Sequence, residues 1–286
     1  MLRLVSLFSL LLVALAPALA QRLVTQTATL AAGQRVALKL PYAARIRVRP
    51  GTGTTLTVQA RVTINDNQQN EAFSLKLSET PQEVAVAEEL NEELLRQVNY
   101  RGRCEGTTNN GTHESQRYRY CIQVQYEVSV PTTAALHITS ISGDVDAQNL
   151  AGAVALTTVS GDLNLRQLSG PVEVRSTSGD LTLHQLTGVV KGRTVSGDVK
   201  LTEPGNQPVQ LTSVSGNVAA TWPAARAATL ALKSVTGEVY ADPAVTFSNL
   251  RPDSRVGYEL HGSYGSAGGP AVQLESVSGD VFFRKQ

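Results

Sequence analysis

The chain has 286 residues, with 25 basic and 24 acidic side chains and a formal net charge of +1. That balance excludes a polybasic nucleic-acid binder and a polyanionic tail, and an apolar fraction of 42% excludes wholesale disorder. Only 5% of the residues are aromatic and 17% charged, while 23 are glycine, which points to β-structure with many tight turns rather than to helix.

Residues 1–20, MLRLVSLFSLLLVALAPALA, read as a secretory signal peptide. Arg3 is the positive start, Leu4 to Ala16 the apolar stretch, and Ala18-Leu19-Ala20 a small-x-small cleavage site behind Pro17. The segment is too short and wrongly flanked for a membrane span, and no later stretch approaches spanning length. Cleavage places the mature N-terminus at Gln21, with no lipoprotein cysteine after it. The chain is expected to be exported to the periplasm, the cell surface or the medium.

Residues 21–130 form a β-rich region. Arg45-Ile46-Arg47-Val48-Arg49 alternates, as does Thr55 to Val62, and the clearest strand is 117–130. In that strand Tyr118, Tyr120, Ile122, Val124, Tyr126, Val128 and Val130 share one face, and Cys121 lies on the other, polar face. Residues 88–98, EELNEELLRQV, predict a short helix with Leu90, Leu94, Leu95 and Val98 inward. Residues 99–116 predict an exposed polar loop, with a glycosylation sequon at Asn110-Gly111-Thr112. Cys104 and Cys121 are the two cysteines. In an exported chain they are expected to bond, stapling this loop at the surface and contributing about 3 kcal/mol by loop entropy.

From residue 131 the organisation changes. Gly143, Gly152, Gly161, Gly170, Gly179, Gly188 and Gly197 fall at steps of nine without a slip. Every second unit opens with Ser-Gly-Asp, at Gly143-Asp144, Gly161-Asp162, Gly179-Asp180 and Gly197-Asp198, so the full period is 18 residues. The pattern continues less evenly at Gly216-Asn217, Gly237-Glu238 and Gly279-Asp280, the last gap spanning two coils. The second position after each glycine is aliphatic in all seven units (Val145, Val154, Leu163, Val172, Leu181, Val190, Val199), and the fourth and seventh positions are mostly apolar. A strand of three or four residues cannot bury its face alone; two strands and two corners per 18 residues do so by coiling, each apolar side chain stacking on its equivalent about 4.8 Å away. The fold predicted is therefore all-β: a parallel β-solenoid (β-helix) of 18-residue coils over 131–286, preceded by the β-rich region 21–130. About eight coils would make a rod of roughly 40 Å. A sandwich with evenly spaced strands is the alternative, but it gives no reason for an unbroken glycine register.

The repeat aspartates Asp144, Asp162, Asp180 and Asp198 are expected to form a column, one per coil. Adjacent unit charges near 5 Å repel by about 0.8 kcal/mol even in water. Two readings answer this: turn N–H groups donating to the carboxylates, or a cation, as in calcium β-rolls whose units carry a doubled glycine. The doubled glycine is missing here and only alternate units hold Asp, so no metal or cofactor is expected. Outward acids Asp146, Glu173 and Glu203 are scattered; His113, His137, His184 and His261 lack ligand spacing; and Gly262 to Gly269 matches no phosphate loop. No catalytic residue is assigned. Arg45, Arg47 and Arg49, with Arg117 and Arg119 nearby, read as a solvated strand face. The chain stops just after Val281-Phe282-Phe283-Arg284-Lys285-Gln286, so these residues are expected to form an uncapped terminal coil that docks a partner strand or a second copy end to end.

The recurring V-x-[TS]-x-SGD-[VL]-x-[LV] pattern, with its final Ser278-Gly279-Asp280, resembles the bacterial putative-adhesin family, a domain of unknown function built from β-strand repeats. Val36 to Val48, with Leu40-Pro41-Tyr42, is similar to how such proteins begin. The resemblance implies an exported envelope protein with a β-solenoid and brings no catalytic residues. The reading is a non-enzymatic exported solenoid presenting a repetitive surface to an envelope, glycan or protein ligand. A carbohydrate-active solenoid enzyme and a purely structural envelope scaffold are the alternatives.

Overall fold

The computed structural model describes residues 21–104, 107–113, 116–249, 259–266 and 268–286. The expected signal peptide lies outside the described residues. The N-terminal half runs β1 (Arg22–Thr29), β2 (Arg35–Lys39), β3 (Ala43–Gly51), β4 (Thr55–Ile64), β5 (Phe73–Glu79), β6 (Glu83–Leu90), helix α1 (Glu92–Arg96), β7 (Thr107–His113) and β8 (Gln116–Pro131). There follow β9 (Leu136–Ser140), β10 (Asp144–Gln148), β11 (Val154–Ser160), β12 (Leu163–Leu168), β13 (Val172–Ser178), β14 (Leu181–Leu186), β15 (Val190–Ser196) and β16 (Val199–Thr202). The last third holds β17 (Val209–Ser215), β18 (Val218–Trp222), β19 (Ala228–Ser234), β20 (Val239–Ala241), β21 (Val245–Phe247), β22 (Glu259–Tyr264), β23 (Ala271–Ser278) and β24 (Val281–Lys285).

These strands make two 12-stranded sheets. Sheet A runs β1-β4-β8-β3-β10-β12-β14-β16-β18-β24-β20, with β7 beside β8; sheet B runs β21-β22-β19-β23-β17-β15-β13-β11-β9-β2-β6-β5. Each coil gives one strand to each sheet, so the molecule is the parallel β-solenoid that the period required. The interior file of sheet A passes from Ile46 through Val145, Leu163, Leu181, Val199, Val218 and Val281 to Val239 in direct register. Val145, Leu163, Leu181 and Val199 are all buried. An aliphatic side chain at the same position of every coil lets each pack on its equivalent in the next.

Several expectations are corrected. The parallel ladder does not begin at residue 131: β2 and β3 already form a coil, pairing with β9 and β10. Their glycine register is absent because Leu40-Pro41-Tyr42 makes the corner instead. Among the described residues, 131–286 holds seven coils rather than eight, because β21 and β22 turn back as antiparallel strands.

The order of coils also departs from chain order. β23 and β24 lie between the coil of β17 and β18 and the coil of β19 and β20. Residues 281–286 are thus not an open end: Val281 pairs with Val218 on one side and Val239 on the other. The expected docking edge at 281–286 is withdrawn; the terminal strand of sheet A there is β20.

The predicted helix 88–98 shrinks to Glu92–Arg96. Residues 83–90 are claimed by β6, which pairs with both β2 and β5, and Asn91 caps the helix by accepting the Glu93 and Leu94 N–H groups. The predicted loop 99–116 contains β7. The first half of β8 overhangs β3, whose pairing starts at Val124, and this leaves an edge that β7 occupies. Cys121, placed on the polar face by alternation, is buried. Asn65 lies across it, its N–H donating to the Cys121 carbonyl at 3.0 Å and its Oδ1 accepting the Cys121 N–H at 2.8 Å. The Cys104–Cys121 disulfide is formed, with Cα atoms 5.5 Å apart.

Candidate functional site

The repeat turns are built by two constraints. Gly143, Gly161, Gly179, Gly197, Gly216 and Gly279 have φ between 100° and 150°, and a Cβ on any of them would fall 2.1–2.2 Å from a carbonyl oxygen of the coil below. Gly237 has the same close contact, 2.3 Å from the Gly279 carbonyl. Only glycine meets both demands.

The following acid faces outward, and one of its oxygens is used as an acceptor. Asp144 Oδ1 accepts the Asp162 N–H at 3.1 Å, Asp162 that of Asp180 at 2.9 Å, and Asp180 that of Asp198 at 2.8 Å. The chain of bonds continues from Asp198 to Asn217, from Asn217 to Asp280 and from Asp280 to Glu238 at 2.7–2.9 Å. One oxygen per coil accepts one N–H of the next, which answers the repulsion between stacked carboxylates and lets Asn217 stand in for Asp. Among the described residues no group of three or more His, Cys, Asp or Glu is placed to hold a metal ion.

The two corners of a coil are unlike. In the Ser-Gly-Asp units the sixth position is left-handed, with φ of 59° at Asn149, 54° at Gln167 and Gln185, and 53° at Glu203. This kink swings the seventh position inward, as expected, at Leu150, Leu168 and Leu186. In the alternate units the strand runs straight on. The sixth position is then interior and the seventh exterior, so Val159 and Val195 are 49% and 43% exposed and Thr177 is exposed. Their expected burial is corrected. The interior places belong to a hydroxyl file, Ser140, Thr158, Ser176, Thr194, Ser213, Ser276 and Ser234. These hydroxyls donate to turn carbonyls, for example Ser213 Oγ to Gly197 O at 2.9 Å and Ser276 Oγ to Gly216 O at 2.8 Å.

The basic stripe is ion-paired across strands rather than open: Arg45 with Asp144 (3.6 Å), Arg47 with Glu127 (3.0 Å) and Arg49 with Asp146 (2.8 Å). A different charged surface lies on the outer face of sheet B. His137, Ala155, Glu173, Lys191 and Gln210 stand side by side in register, with Thr139, Thr157, Arg175, Arg193 and Thr212 in the next file. The small side chain of Ala155 leaves a groove of about 480 Å³ bordered by Arg35, His137, Glu173 and Lys191. A second groove of about 210 Å³, over Gly192, shares Glu173 and Lys191 with the first. Glu173 is engaged by Arg175 (2.6 Å) and Arg35 by Glu83 (2.6 Å). Lys191 and Arg193 have no ion-pair partner among the described residues. Sequence reading missed this pair because Lys and Arg on a strand face look like ordinary solvated charge.

One carboxyl is pushed toward neutrality. Burial raises Glu88 to a pKa of about 7, opposed by hydrogen bonds from Tyr126 and the Tyr42 N–H. It sits between the sheets, and among the described residues no second carboxyl hydrogen-bonds or ion-pairs with it.

The family model Toastrack DUF4097 matches residues 122–283, more than half of the chain. The chain belongs to this family. No curated protein matches it. Among solved structures it is similar to a putative adhesin from Parabacteroides distasonis, at 10% identity and a TM-score of 0.45, covering 92% of this chain and 97% of that one. It is also similar to a putative adhesin from Bacteroides fragilis (8%, TM-score 0.40, 92% and 98%). A putative cell adhesion protein from Clostridium sporogenes gives 11% identity and a TM-score of 0.35, with 93% and 100% covered. In this Toastrack chain the family match starts inside β8 and omits the β2–β3 coil.

Proposed function

We propose that this protein is an exported, non-catalytic binding module of the bacterial cell envelope that holds an extended anionic polymer on the outer face of sheet B. One observation carries the reading: Lys191, at the rim of the larger groove with its apolar floor, and Arg193, over the adjoining smaller groove, have no ion-pair partner among the described residues, and their neighbours repeat at strand spacing. Cations without an internal partner attract carboxylate or sulfate groups, and a groove continuous over several coils suits a chain better than a compact molecule. The N-terminal apolar segment and the disulfide support export. A glycosidase needs two carboxyls flanking one bond; the raised carboxyl, Glu88, is committed to Tyr126 and Tyr42 inside the fold.

Binding of a polyuronate to the mature chain at low ionic strength tests the reading. Affinity is expected to fall at least tenfold in K191Q/R193Q and to weaken with added salt. Polyuronate binding unchanged by the double substitution, or none at low salt, would sink it and leave a structural scaffold as the better account.

A further inference from the structure

At the C-terminal ends of the sheet A strands β12, β14 and β16, where the left-handed corners lie, a pocket of about 560 Å³ opens between three successive coils and the 223–226 turn. We propose that this pocket is a subsite for a neutral sugar unit. The inference rests on the binding reading but not on the Lys191–Arg193 face.

Its polar wall is held by hydrogen bonds before any ligand arrives. Glu203 accepts from Gln185 Nε2 on one oxygen and from Gln286 Nε2 on the other, each at 2.7 Å. These two amides hold the Glu203 carboxyl below its usual range, so it stays an acceptor at neutral pH. Arg226 is anchored by a bond from Nη1 to the Pro204 carbonyl, which fixes the guanidinium and leaves its remaining donors for a ligand. Gln167 contributes an amide that bonds to nothing else among the described residues, one coil from Gln185.

The chemistry selects the ligand class. One carboxylate and one guanidinium balance, so the pocket does not favour an ion of either sign. Donors and acceptors alternate along the wall, which suits hydroxyl groups, each able to donate and accept. Pro204 and Pro223 supply an apolar floor for the C–H face of a sugar ring. The left-handed backbone at Gln167, Gln185 and Glu203 costs of order 1 kcal/mol per residue. Its consequence is that three hydrogen-bonding side chains stand in line at coil spacing instead of pointing into the core.

Cellobiose, chitobiose and maltose, each at about 10 mM, are the probes, read by ligand-observed NMR on the mature chain. At least one is expected to bind, with affinity at least tenfold weaker in E203A and in R226K, which keeps the charge but loses the planar donors. K191Q/R193Q is expected to keep disaccharide binding while losing polyuronate binding, so the two readings fail separately. If none of the disaccharides binds, or if E203A and R226K bind as the parent does while retaining its circular dichroism, the sugar subsite is overturned. Should E203A fail to fold, R226K alone decides, because Arg226 is an exposed side chain on a turn.

Discussion

The Tyr126 hydroxyl of sheet A donates to Glu88 Oε1 of sheet B at 2.5 Å, across the interior between β8 and β6, while Glu88 Oε2 accepts the Tyr42 N–H at 2.7 Å. Among the described residues, no other carboxyl joins the two sheets through the core. Its pKa of about 7 in the fold, against 4.5 unperturbed, means that the folded chain binds a proton more tightly than the unfolded chain. The contribution is therefore fully present below pH 4.5 and is lost as pH rises through 7.

Wild-type stability is expected to fall by up to about 3 kcal/mol between pH 4.5 and 8 from this group. E88Q, which mimics the protonated state and lets Tyr126 accept from the amide, should flatten that slope and exceed the parent at pH 8. Urea melts across this range check it; an unchanged slope in E88Q would refute the assignment.

The acid ladder predicts different outcomes for two neighbouring substitutions. D180N keeps an oxygen for the Asp198 N–H, as Asn217 does for Asp280, and should lie within about 0.5 kcal/mol of the parent. D180A leaves that N–H to solvent and should cost about 1 kcal/mol. Equal destabilisation by both would show that charge, not acceptance, matters at this turn.

Glycine substitutions separate backbone strain from contact. Gly33 has φ of 84° with nothing within 4 Å of a Cβ, whereas Gly179 has φ of 123° and the Gly161 carbonyl 2.2 Å away. G33A should cost about 1 kcal/mol, and G179A about 3 kcal/mol or more, because two backbones must part. Thermal denaturation of both variants measures the difference.

The alternate corner makes a prediction from two positions on neighbouring coils, Val195 of β15 and Ser213 of β17. V195T changes an exposed side chain and should shift stability by less than about 0.5 kcal/mol. S213A removes a buried hydroxyl bonded to the Gly197 carbonyl and should cost about 1 kcal/mol. A larger loss in V195T than in S213A would contradict the assignment of inside and outside.

Removing the disulfide as C104S/C121S should cost about 3 kcal/mol by loop entropy. The loss is expected to localise to 99–121. Limited proteolysis should cut there first, with the coils beyond β9 still protected.

Periodicity by itself determined the coil. A glycine every nine residues and an aliphatic two places later leave one way to bury short strands, so Val145, Leu163, Leu181 and Val199 were legible as one file, and the aspartates as one column. Sequence did not show that the backbone at Gln167, Gln185 and Glu203 turns left-handed or that these side chains face a pocket.

Tertiary structure alone decided which coil lies beside which. Every coil offers the same backbone edge and the same apolar files, so register carries no information about neighbours, and β23–β24 fits between β18 and β20 as well as it would at an end. The same limit hid the early coil of β2 and β3, whose corner is made without glycine. Burial at the sixth and seventh positions was likewise undetermined, because one left-handed residue reverses which side chain points inward, and composition does not encode φ.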